Sequence, residues 1–372
     1  MSEPQIEIKT REHTVRAMLG DEEVGHITVP HIDFNFCEGL TVPLAGIQAV
    51  RTDSNYRRRG IARAMMQEVN EFALTNDYCC SAVSTGYSNI ARRLYSSSGH
   101  VHLFSQPTWE APLDEITAPA ASNDVHVQSY SDADEQAVVD LIAKVQGPYF
   151  GTRVRSPERH RKLYSGWKDD SPPAVAAVAR RDGKVVGYAH RLHYWSGLES
   201  EVFALDDSVE VLAALLASLV ERLKASDDTA LRVAVSDCQR ALQHLLYEAG
   251  LRPQKEYVFM CNVLNWQGFL DTLAPLFEKR VKAIDISAVP EAVTIEAGDR
   301  QGIIHLNGPA GPFTIRSGSK TLTRVICGLV AGWDAYLVSD MDIEPKPTVQ
   351  VASAIQAIFP SVPYQHPPLD RW

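Results

Sequence analysis

VRTDSNYRRRGIARAM, residues 50 to 65, joins a β-like segment to an amphipathic helix through an Arg-x-x-Gly-x-Ala turn. The helix is expected because Ile61, Met65, Val69 and Phe72 recur at helical spacing, and the run Leu44 to Val50 before it has the apolar content of a buried strand. A strand-to-helix junction of this kind suits a polyanion. The amides of a helix's first turn have no intrahelical partner and point along the positive end of its dipole, where phosphate is held. Arg57, Arg58 and Arg59 supply mobile cations, and Gly60 lacks the Cβ that would block close approach.

The run Arg57, Arg58, Arg59, Gly60, Ile61, Ala62 resembles the acetyl-CoA signature of the GNAT acetyltransferases, Gln/Arg-x-x-Gly-x-Gly/Ala. Further along, the same pattern asks for an Asn-containing turn and then a helix bearing Tyr. Asn89 and Tyr95 occupy those places, with Ser88 expected as the helix cap, Ile90/Leu94 and Ala91/Tyr95 as apolar pairs, and Gly99 as the terminator. The resemblance implies that Asn89 meets the pantetheine arm and that Tyr95 protonates the departing thiolate. It also implies main-chain contacts from Val50, Arg51 and Thr52, and diphosphate contacts from Arg57 through Arg63. A phenol with an ordinary pKa of about 10 is protonated at neutral pH and can serve as a general acid. A plain core aromatic with a wet tip is the competing reading of Tyr95.

A chain of 372 residues and 41.1 kDa with 45% hydrophobic content has material for two or three packed domains. It contains no apolar run of membrane-spanning length and its first residues lack a signal-peptide core, so a cytoplasmic protein without membrane partners is expected. Six cysteines without a C-x-x-C pair or a zinc-like cluster fit that compartment and imply no metal. The net charge of −10 disfavours nucleic acid and suits an amine-bearing acceptor.

Composition shifts at Gln106 to Asn123, which reads as a linker, so residues 1–106 form the first domain, 107–123 the connection, 124–265 the second domain and 266–372 the third. In the second, a strand at Val125 to Gln128 precedes a Ser131/Asp134 capping box and a helix with Ala137, Val138, Leu141, Ile142 and Val145 on its apolar face. Strands at 174–179, 184–192 and 200–205, a helix at 209–223, a strand at 231–235, a helix at 238–249 and a strand at 257–264 then repeat the first domain's plan. Where this copy would cradle phosphate it has Asp206, Asp207 and Ser208, which repel a polyanion and read as helix caps. The third domain offers a helix through Leu270, Leu273, Leu276 and Phe277. Three strands follow at 292–296, 302–306 and 313–316, then helices at 321–329 and 349–359.

The fold class expected is α/β (α+β): two tandem GNAT folds and a C-terminal domain resembling the sterol carrier proteins. That order resembles the enhanced intracellular survival (Eis-like) acetyltransferases. The ending VPYQHPPLDRW, Val362 to Trp372, is similar to the tail of that family, whose terminal carboxylate acts as general base. The resemblance therefore implies an acetyl-CoA-dependent N-acetyltransferase with Tyr95 as acid and the Trp372 carboxylate as base. The acceptor would be an amine-bearing small molecule or a lysine side chain, and the assembly a homo-oligomer, often a hexamer. Two departures concern the acceptor. The strand pair at His13 to Leu19 and Val24 to Asn35 stands too near Met1 for the family's preceding helices, and Arg371 puts a cation before the terminal residue. Two other readings stay open. One is a non-catalytic acyl-CoA or lipid-binding module, with Leu322, Val325, Ile326, Leu329 and Val330 lining a cavity; the other is an acetyl-CoA sensor.

Overall fold

A computed structural model describes residues 6–362 except 121, 123, 165–174, 195–196, 227, 237, 331 and 338–339. Two compact units result, one drawn from 1–104 with 258–362 and the other from 105–257. The first unit begins with strands β1 (Ile6–Arg11), β2 (Thr14–Leu19), β3 (Glu22–Thr28), β4 (His31–Cys37), β5 (Leu40–Gly46) and β6 (Gln48–Thr52). Helix α1 (Ile61–Thr75), strand β7 (Cys80–Gly86), helix α2 (Arg92–Ser97) and strand β8 (Val101–Pro112) follow. Strands β1, β2, β3 and β6 make one antiparallel sheet, while β4 pairs with β5 and β5 runs parallel to β7.

Two sequence expectations change here. Residues 24–35 form two strands rather than one, since Pro30 has no N–H to continue a ladder. The expected single strand at Leu44 to Val50 also divides. Ile47 still donates to the Ala82 carbonyl at 2.8 Å, but Ala49 turns to φ 51° and β6 departs to pair with β3. This bulge parts β6 from β7 and opens a gap between them. Beneath it α1 buries Ile61, Met65, Met66, Val69 and Ala73 against Val15, Ala17, Val24 and Ile27, each large side chain contributing about 1.5–3 kcal/mol.

The second unit holds β9 (His126–Ser129), α3 (Glu135–Gln146), β10 (Thr152–Arg153), α4 (Pro157–Tyr164), β11 (Val175–Arg181), β12 (Lys184–Tyr194) and β13 (Gly197–Ala204). Then come α5 (Val209–Lys224), β14 (Ala230–Ala234), α6 (Arg240–Glu248) and β15 (Arg252–Val263), whose 258–263 half belongs to the first unit. The sheet order in the second unit is β8-β14-β13-β12-β11-β9. The Ser131/Asp134 capping box is present before α3, where Val138, Leu141 and Ile142 are buried; Ala137 is exposed and Val139 takes its place. Residues 107–112 are not a linker. They complete β8, pairing Thr108 through Pro112 with β14, and Leu113 and Ile116 enter the core, so burial overrides their Pro-rich composition.

The first unit resumes with α7 (Trp266–Val281), β16 (Ala292–Ala297), β17 (Arg300–His305), β18 (Phe313–Ser317), α8 (Ser319–Ile326), α9 (Gly332–Leu337), β19 (Asp342–Glu344) and α10 (Val349–Ile358). Its sheet order is β17-β16-β18-β19, with β16 and β18 parallel. Gln267 clasps the β17 backbone, accepting from Ile303 N at 2.8 Å and donating to its carbonyl at 3.1 Å. Leu322, Val325 and Ile326 of α8 are at most 3% exposed.

Candidate active site

The turn before α1 has the geometry of an anion cradle. Gly60 stands at the N-cap with φ 80°, a left-handed conformation that favours glycine, and a Cβ built there would meet nothing within 4 Å. Helical bonding begins only with Ala64 N on the Gly60 carbonyl at 3.0 Å. Among the described residues no protein acceptor meets the amides of Gly60, Ile61, Ala62 and Arg63. Beside them lies an open cleft of about 510 Å³ lined by Thr52, Arg57, Arg58, Gly60, Ala62, Arg63, Arg93, Leu94 and Ser97, with no carboxylate in its wall. Such a surface attracts phosphate through backbone donors and guanidinium groups together.

The arginines divide in their duties. Arg57 donates its Nε to the Thr52 carbonyl at 3.2 Å, which fixes the turn to the end of β6. Arg58, at φ 62°, and Arg63 face the cleft exposed. Arg59 does not line it; its guanidinium lies 5.4 Å over the Tyr56 ring. Sequence reading missed Arg93, because its contribution comes from α2 and nothing in the local motif announces it. Ile61 gives the cleft only its amide, since its side chain is 4% exposed in the core. Val50 falls in the β6 register shift, Arg51 opposes His26, and Thr52 opposes Gly25 and reaches the cleft wall.

Asn89 organises the approach to α2. Its Oδ1 accepts from Ala91 N at 3.0 Å and its Nδ2 donates to Thr85 Oγ at 3.0 Å, so Asn89 makes the capping turn expected of Ser88. Ile90 is 78% exposed and does not form the expected apolar pair. Helix α2 offers Arg93, Leu94 and Ser97 to the cleft and turns Tyr95 inward, where it is 4% exposed. Burial pushes the Tyr95 phenol up to about 12. Trp372 and the tail 363–372 lie outside the described residues.

In the second unit the corresponding helix start borders a pocket of about 330 Å³ with two carboxylates, Asp206 and Asp207, in its wall. Asp206 and Asp207 take φ 55° and 49°, and Asp207 accepts from Ala241 N at 3.0 Å, which caps α6 rather than α5. Ser208 donates to the Glu210 carboxylate at 2.8 Å instead of receiving the α5 amides. The expectation that these residues cap α5 is therefore corrected: the left-handed turn aims Asp207 at the neighbouring helix. Burial raises the Asp207 pKa, opposed by the Ala241 amide. No cluster of metal-ligating side chains and no helix long and apolar enough to cross a membrane occurs among the described residues.

A bulged strand feeding a glycine turn and an open helix start is the build of a GNAT acyltransferase, and residues 2–100 match the acetyltransferase (GNAT) family. The protein is accordingly a transferase enzyme, related through this segment to a family that uses acyl-CoA donors and amine-bearing substrates. No curated protein matches the chain. Among solved structures, a GCN5-related N-acetyltransferase from Anabaena variabilis is similar at 17% identity and TM-score 0.67, covering 97% of this chain and 90% of that one. One from Kribbella flavida shares 16% identity at TM-score 0.61, covering 97% and 87%. Eis1 from Mycobacterium abscessus shares 13% identity at TM-score 0.56, covering 97% and 91%. At these identities the likeness concerns the fold alone, and it extends over nearly the whole chain.

Proposed function

We propose that this enzyme transfers the acetyl group of acetyl-CoA to a primary amine by direct attack. The observation that carries the reading is the unbonded amide row at Gly60–Arg63 beside a carboxylate-free cleft with four arginines in its wall. The diphosphate would rest on those amides, with Arg57, Arg58, Arg63 and Arg93 around it and Arg59 stiffening the turn from outside. The pantetheine arm would run along the gap at Val50, Arg51 and Thr52, with Asn89 holding the turn that shapes its path. The amine nitrogen attacks the thioester carbonyl, the C–S bond breaks, and the leaving thiolate takes the Tyr95 proton. An amine of pKa about 10 must first lose a proton, a task this reading gives to the Trp372 carboxylate on the strength of the tail sequence.

The acceptor is an amine-bearing small molecule or a lysine side chain, for which the acidic chain provides a favourable field. In this reading the second GNAT copy shapes the acceptor side without binding cofactor, and the C-terminal region is sterol-carrier-like. The whole is an Eis-like, cytoplasmic and homo-oligomeric enzyme. Calorimetry with acetyl-CoA, followed by thiol release with polyamines, aminoglycosides and lysine peptides, tests it. Binding with turnover on one amine class supports the reading; no affinity for acetyl-CoA overturns it. Deleting Trp372 should cut turnover and leave acetyl-CoA affinity within about twofold, because the residue is assigned to proton removal alone.

A further inference from the structure

Behind Tyr95 lies a buried polar chain to which the chemistry above assigns no task. His100, 3% exposed, sits with its Nε2 3.1 Å from Ser81 Oγ, and Ser81, fully buried on β7, reaches Asn70 Oδ1 on α1 at 3.3 Å. The Ser81 hydroxyl thus stands between the Asn70 amide oxygen, which can only accept, and the His100 Nε2, whose role follows the ring's tautomer. Burial pushes His100 down to about 4, against an opposing pull from the Tyr95 backbone, so the ring is neutral at working pH. Its ring meets the Tyr95 ring edge-on, centroids 6.2 Å apart.

The same residues tie down the end of α2. The Ser98 carbonyl accepts from Asn262 Nδ2 at 3.1 Å and from Asn70 Nδ2 at 3.5 Å, while His100 N donates to the Tyr95 carbonyl at 3.0 Å. Gly99 makes this closure possible, since its φ is 94° and a Cβ there would come within 2.9 Å of the Asn262 amide. Asn70 belongs to the helix whose opposite end forms the anion cradle. The chain Asn70–Ser81–His100 therefore links the cofactor helix to the ring that flanks the phenol.

We propose that His100, locked by Ser81 and Asn70, is a positioning residue that sets the Tyr95 hydroxyl against the thioester sulfur. The proposal rests on the reading of Tyr95 as the general acid. A phenol displaced by about 1 Å loses up to about a hundredfold in rate, so an intermediate loss is expected from loosening its neighbour. His100→Ala and Ser81→Ala should each lower kcat by about tenfold, with acetyl-CoA Kd from calorimetry changed less than about twofold. His100→Gln, whose side-chain amide can still hydrogen-bond to Ser81, should recover most of the loss. In a Tyr95→Phe background neither alanine variant should lower kcat further.

An unchanged kcat overturns the proposal, and so does a loss that carries over in full into Tyr95→Phe, which would be the mark of general loosening. Melting temperatures and the milder His100→Gln variant keep the test meaningful if His100→Ala folds poorly. Should Tyr95→Phe alone retain the full rate, the general-acid reading fails by itself. The ring NMR signals of Tyr95 then decide the positioning claim: displacement in Ser81→Ala supports it and an unmoved signal overturns it.

Discussion

The starts of α1 and α5 follow the same strand-to-helix plan and have opposite electrostatics. At α1 the chain offers Gly60, a row of unbonded amides and arginines; at α5 it offers Asp206, Asp207 and Ser208. Both turns use positive φ, so backbone shape alone does not distinguish them. The distinction lies in what the side chains do with the space. Gly60 leaves it open, whereas Asp207 brings a carboxylate that has already committed itself to the α6 amides. The two turns thus resemble each other in backbone conformation and differ in the charge of the side chains they carry.

The largest effect should come from destroying the open turn. Gly60→Val puts a branched side chain where φ is 80°, a conformation costing an L-residue about 1–2 kcal/mol, and fills the volume reserved for ligand. Acetyl-CoA affinity should fall by more than about a hundredfold, or about 3 kcal/mol, in calorimetry. Wild-type protein should bind one acetyl-CoA per chain. Two equivalents would erase the contrast between the turns, and unaltered affinity in the variant would remove the cradle.

Tyr95→Phe comes next, with kcat lower by about a hundredfold, the lower range for a lost general acid, and acetyl-CoA affinity retained. Its pH dependence is equally specific. Because burial holds the phenol up to about 12, the proton is present throughout the neutral and mildly alkaline range. The rate should therefore show no alkaline decline near the ordinary tyrosine value, and a decline there that vanishes in Tyr95→Phe would contradict the burial.

Much of this contrast was legible in the sequence. The Arg-x-x-Gly-x-Ala run, the spacing of Ile61, Met65 and Val69, and the Asp206–Ser208 substitution all lie within a few residues, where local rules hold. What escaped the reading depends on distant partners. Arg93 joins the cleft only because α2 folds back beside the turn, and Asn89 holds the turn before α2 because Thr85 receives its amide. Residues 107–112 looked like a linker because Pro and polar residues dominate them, yet pairing with β14 draws them into a sheet. The His100 chain could not be read at all, since Asn70 sits on α1, Ser81 on β7 and His100 in the loop before β8.

A smaller effect follows from that missed cation. Arg93→Gln should weaken acetyl-CoA binding about five- to tenfold, since an exposed charged hydrogen bond is worth less than the about 1.5–3 kcal/mol of a protected one. The loss should shrink at high salt, where screening already weakens the wild-type contact. Arg59→Gln, which removes a cation stacked on Tyr56 outside the cleft, should cost less than Arg93→Gln. An equal or larger loss from Arg59→Gln would reverse the division of duties among the arginines.

The smallest effect lies at the acidic turn and separates two properties of one carboxylate. Asp207→Ala removes the acceptor from Ala241 N, so stability should fall by about 1 kcal/mol in denaturant titrations. Asp207→Asn keeps an acceptor and sheds a charge that burial disfavours, so at neutral pH it should be more stable than wild type, opposite in sign to Asp207→Ala. The sign of the pH effect follows from the raised carboxyl pKa. The native state takes up the proton before the unfolded state does, so the burial penalty is present at neutral pH and is relieved as pH falls toward the unfolded value. The gap between wild type and Asp207→Asn should accordingly narrow on acidification, while neither variant alters acetyl-CoA affinity. A widening gap would mean that the Ala241 hydrogen bond outweighs burial, and a change in affinity would place this turn within the cofactor site after all.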